Sequence, residues 1–160
     1  MASNLKVHML RLIPGQEVKE ALEEYVRRHA PRGVFVMTCC GSVTSATLRL
    51  AANTNGETNK IKTYNQHFEV LSLSGTLSKG GTHLHICLSD NEGGTVGGHV
   101  MGGLRVFTTM EVALGEPLDL PLTVPSTTPL ASRSSPSLGM QKIALLNTSR
   151  RRVVLRPVGG

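Results

Sequence analysis

Apolar positions along this chain switch between two periods. From Leu5 to Leu12 apolar and polar residues alternate loosely, which predicts a first strand stopped by Pro14-Gly15. From Glu17 to His29 the period becomes helical, with Val18, Ala21, Leu22, Tyr25 and Val26 on one stripe. Glu20, Glu23 and Glu24 precede Arg27 and Arg28, the order a helix dipole favours, and Pro31 stops the helix. Gly33 to Thr38 is apolar nearly throughout and reads as a strand covered on both faces. Ala46 to Ala52 reads as another strand, leading into an Asn53-Thr54-Asn55-Gly56 loop. Further strands are expected over Phe68–Leu77, Thr82–Ser89, Thr95–Met101 and Arg105–Leu114. One helix and six or seven strands joined by short glycine-rich turns predict an α+β (two-layer α/β) fold. Its sheet is mostly antiparallel, with one main helix packed against it.

The 160 residues support one core. We expect a domain over residues 5–118. From Thr123 to Leu138, 11 of 16 residues are Ser, Thr or Pro, too little apolar surface to offset ordering, so 119–140 is expected to be a linker or loop. Residues 141–160 are a basic extension whose Ile143, Leu145, Leu146, Val153, Val154 and Leu155 would also suit a further docked strand.

Charge sharpens this division. Of 17 Lys and Arg, six lie in 121–160, leaving 11 in 1–120 against all 11 acids. The net charge of +6 therefore belongs to the tail, and the body offers no electrostatic case for nucleic acid. Few aromatics and no Trp argue against a base-stacking surface. No apolar run reaches the ~20 residues that span a bilayer, and the N-terminus lacks signal-peptide order. With three unmatched cysteines, a reducing compartment is expected: cytoplasmic, with the nucleus as the second choice, and not secreted.

The candidate chemistry is concentrated in THLHICLSDNEGGTVGGHV. His83 and His85 are two apart in a strand and leave the same face. A turn at Asp90–Gly94 would return His99 beside them, provided the register is right. Three imidazoles suit zinc and leave a position open for water or substrate; packed or solvated histidines are the alternative. Gly93-Gly94, Gly97-Gly98 and Gly102-Gly103 read as bulges and turns, or as amides lining an anion pocket near His99. Cys39-Cys40-Gly41-Ser42 reads as a strand end, where a cysteine nucleophile would still need a thiolate-stabilising neighbour. Arg49 and Glu69 interrupt apolar strands and either face water or line a pocket. Arg150-Arg151-Arg152 is a solvated run or a phosphate contact.

Taken in order, Leu12-Ile13-Pro14-Gly15-Gln16-Glu17, Gly41-Ser42-Val43, Ala46-Thr47-Leu48-Arg49, Phe68-Glu69-Val70-Leu71-Ser72-Leu73-Ser74-Gly75-Thr76-Leu77, His83-Leu84-His85-Ile86, Gly97-Gly98-His99 and Thr109-Met110-Glu111-Val112 make a specific pattern. From about Leu5 to Leu118 it resembles the plant-and-prokaryote-conserved domain family. The resemblance implies a compact homotrimer and, as in prokaryotic-type members, zinc on His83, His85 and His99. Land-plant members carry DNA-binding AT-hooks before the domain. The chain has no Arg-Gly-Arg-Pro core, so DNA binding is not implied. The leading expectation is a metal-binding homotrimeric module that takes a protein or small-molecule ligand. A zinc-dependent hydrolase or other small-molecule enzyme is second, and an accessory DNA-associated protein with weak contact through the tail is third.

Overall fold

The computed structural model describes residues 2–52 and 60–123. The expected tail elements, residues 124–160, and the Asn53–Gly56 loop lie outside the described residues. The elements run β1 (Leu5–Leu12), α1 (Val18–His29), β2 (Val34–Arg49), β3 (Ile61–Ser78), β4 (Gly81–Ser89) and β5 (Thr95–Pro117). All pair antiparallel in the order β1-β5-β2-β3-β4, and β4 also pairs with the start of β5. The fold is thus α+β, dominated by an antiparallel sheet with a single helix packed on it.

Among the described residues there are five strands, where six or seven were expected. Two breaks read from the sequence are internal to longer strands. Cys39-Cys40-Gly41-Ser42 continues β2, with irregular pairing to β5 on either side of Gly41. Gly102 and Gly103, at φ 140° and 68°, absorb a bulge in β5 instead of turning the chain. A bulge bends a strand without ending it, and composition alone does not separate the two.

The helix forms where its stripe predicts. Val18, Leu22 and Val26 are buried, and they join Leu48, Leu77, Leu84, Leu88, Leu104 and Met110 in one core. Glu17 caps the helix: its Oε2 accepts from Glu20 N (2.7 Å), while its Oε1 accepts from Leu104 N on β5 (2.9 Å). One carboxylate thereby satisfies an orphan helix donor and ties the helix to the sheet.

Buried His8, Glu116 and Ser42 are paired, Ser42 with Thr108 (2.9 Å). His8 Nδ1 is 3.0 Å from Tyr25 Oη and its Nε2 is 3.1 Å from Glu116 Oε2. Opposite this core, β1 turns Leu5, Val7 and Met9 outward, with Met9 70% exposed.

Candidate metal centre

Strand alternation builds the site. Leu84, Ile86 and Leu88 of β4 and Val100 of β5 point into the core, so His83, His85 and His99 stand on the opposite face. Antiparallel register places His85 directly opposite His99. Two glycines let the strands close up: a Cβ on Gly97 would lie 2.9 Å from Ile86 O, and one on Gly98 2.8 Å from Arg49 O.

The three histidines each bring one ring nitrogen to within 4.8 Å of the others. His83 Nε2 and His85 Nε2 are 3.1 Å apart. A tetrahedral zinc with bonds of about 2.0–2.1 Å spaces its donors by roughly 3.3 Å, so this pair is already at ligand separation. The Nδ1 of His99 is buried with no hydrogen-bond partner. Such a group is costly to leave unsatisfied, and a cation is one partner that would resolve it. Burial, then Arg49, His83, His85 and Lys19, pull the His99 pKa down from 6.5 to about 4. At neutral pH the ring is uncharged, as a metal-ligating imidazole must be. The donor set therefore fits a borderline divalent ion: the surface cluster is able to coordinate a metal.

Among the described residues no carboxylate or thiol joins this cluster. Cys87 pairs with Ser72 and Gly97 farther along the strand. Cys39 is buried, and burial with Cys40 beside it pushes its thiol up to about 12, which leaves no thiolate for nucleophilic attack. Glu69 sits opposite Ser42 and Ser89, away from the histidines. The Asp90 turn is closed on itself, Oδ1 accepting from Glu92 N (3.0 Å) and Gly94 N (2.8 Å). Gly97 and Gly98 serve the close approach of the strands.

Two cations do border the cluster. Arg49 is opposite His99 across the β2–β5 ladder. Lys19, which nothing in the sequence singles out, reaches from α1 to Met101 O (3.5 Å), two residues past His99. Its place depends on how the helix docks, which no local pattern encodes.

Comparison with known proteins agrees with this architecture. The matching stretch is 39% identical over 116 residues to the bifunctional protein GlmU of a Synechococcus strain, covering 72% of this chain but only 18% of that protein. It is 33% identical over 108 residues to AT-hook motif nuclear-localized protein 22 of Arabidopsis thaliana, covering 64% of this chain and 34% of the relative. Among solved structures, a hypothetical protein from Salmonella is 40% identical with a TM-score of 0.67, covering 73% of this chain and 81% of that one. A metal-containing protein from Archaeoglobus fulgidus is 25% identical with a TM-score of 0.60, covering 77% and 95%. The model of the Plants and Prokaryotes Conserved (PCC) domain matches residues 1–117, and the chain belongs to that family.

Proposed function

We propose that the domain is a homotrimeric, zinc-binding module that uses the ion to hold a ligand or partner, with His83, His85 and His99 as the protein's ligands. The carrying observation is the convergence of three ring nitrogens within 4.8 Å, one from each histidine. The metal-containing Archaeoglobus relative supports the same reading. Bound there, zinc would supply Lewis acidity and a free coordination position.

Self-association is supported by the outward Leu5, Val7 and Met9 stripe with Met37 (46% exposed). Covering exposed apolar residues of this kind is favourable, and further copies of this chain are the occupant we propose. The domain is taken to end near Leu118, where the family match and β5 both stop, followed by the 119–140 linker and the basic 141–160 extension. The location is proposed as cytoplasmic or nuclear, the latter supported by the nuclear-localized relative.

A zinc-dependent enzyme is the second reading. It is favoured by the lack of a fourth protein ligand among the described residues, since structural zinc is usually closed by four. No described carboxylate stands in the cluster as a general base, so the binding module leads. Direct DNA contact ranks last because the excess basic charge is confined to the tail.

Two measurements test the proposal. Calorimetric titration with zinc should give about one site per chain in the wild type and none in a His83→Ala, His85→Ala variant. Light scattering should give three times the chain mass; a monomer would remove the assembly claim while leaving the metal claim intact.

A further inference from the structure

The surroundings of the three histidines are positively charged. Neutral imidazoles bring no negative charge to a divalent ion, and no described carboxylate joins the cluster. Arg49 is the residue directly across the ladder from His99. Directly opposed residues of an antiparallel pair project from the same face with Cβ atoms about 4.5–5.5 Å apart. The arginine side chain thus leaves the sheet on the histidine side. Arg49 is half-buried and makes no ion pair among the described residues. Lys19 adds a second cation at the rim, with Glu23 3.9 Å away as its carboxylate neighbour.

A cation fixed beside a metal site weakens the metal unless an anion lies between them. The planar fork of an arginine is matched to oxyanions, which it can hold through two parallel hydrogen bonds. We infer that the site's ligand is a compact oxyanion, a carboxylate or phosphate group, bridging the metal on His83, His85 and His99 to the guanidinium of Arg49. This inference rests on the metal reading above. It names Arg49 as the residue that selects the ligand's charge, with Lys19 contributing at longer range.

Cobalt(II) reports on the site without any assay of turnover, because its visible absorption changes when a ligand enters its coordination sphere. The full chain loaded with cobalt would be titrated with glycolate and, separately, with inorganic phosphate at constant ionic strength held with a non-coordinating salt. The expected result is a saturable spectral change with at least one of them, and the tighter binder tells carboxylate from phosphate. In Arg49→Gln that affinity should fall at least about tenfold, the scale of a charge-assisted hydrogen bond. The same variant should bind cobalt at least as tightly as the wild type in anion-free buffer, because a repelling charge has gone. Stoichiometric cobalt in the variant also shows that it is folded.

Equal anion affinity in wild type and variant would overturn the inference, as would no response to either anion in cobalt-loaded wild type. Loss of cobalt from Arg49→Gln would overturn it too, since the arginine would then be supporting the ion. Failure of the wild type to bind cobalt at all would instead remove the metal reading on which the inference stands.

Discussion

Replacing Gly75 by alanine should damage the strand that carries His83. Gly75 pairs with Leu84, between the Ser74–His85 and Thr76–His83 pairs, and holds a φ of 130°. A Cβ there would overlap the His83 carbonyl oxygen and lie 2.9 Å from its carbonyl carbon and 3.0 Å from Leu84 Cα. All of these are backbone atoms, so no rotamer change relieves the overlap and β3 must move away from β4. Three costs combine: the positive φ, the ladder hydrogen bonds lost, and the packing loosened over buried Leu84. Together they amount to roughly 3–6 kcal/mol. That is a large part of the 5–15 kcal/mol typical of a domain. Gly93→Ala is the control, since its φ is 82° but nothing lies within 4 Å of the added carbon. It should lose only about 1–2 kcal/mol. Urea unfolding followed by circular dichroism measures both. If Gly75→Ala loses no more than Gly93→Ala, the close approach of β3 to β4 is wrong.

The thiols and His99 supply further tests. In the native protein at pH 8, a thiol-alkylating reagent should modify exposed Cys40 well before Cys39, whose buried thiol is pushed up to about 12; mass spectrometry showing Cys39 modified first would refute the placement. For the metal-free protein, His99 takes its proton at about 4 when folded and near 6.5 when unfolded, chiefly because of burial. The unfolded chain therefore binds more protons between those values, so stability is full above about 6.5 and declines as pH falls toward 4. His99→Gln should flatten that decline, and an unchanged slope would show that His99 is not the responsible group.

Local periodicity was enough for β1 and for the helix, whose apolar stripe became the buried Val18, Leu22 and Val26. It was also enough to put His83 and His85 on one face, because strand parity is fixed by covalent geometry. His99 needed the β4–β5 register, which arises from the whole sheet and could only be supposed from the turn. Gly41 and the Gly102–Gly103 pair look like strand ends in the sequence, but they sit at register irregularities within β2 and β5. The placement of Arg49 and Lys19 around His99 joins β2, α1 and β5, a coincidence of tertiary structure that no spacing along the chain records.

The most direct test of the account is metal content per subunit, by elemental mass spectrometry, on protein purified without an affinity tag or added metal. The His83→Ala, His85→Ala variant would be measured alongside it. The wild type should carry about one zinc per chain and the variant none. A wild type that holds no metal even after reconstitution with zinc would contradict it.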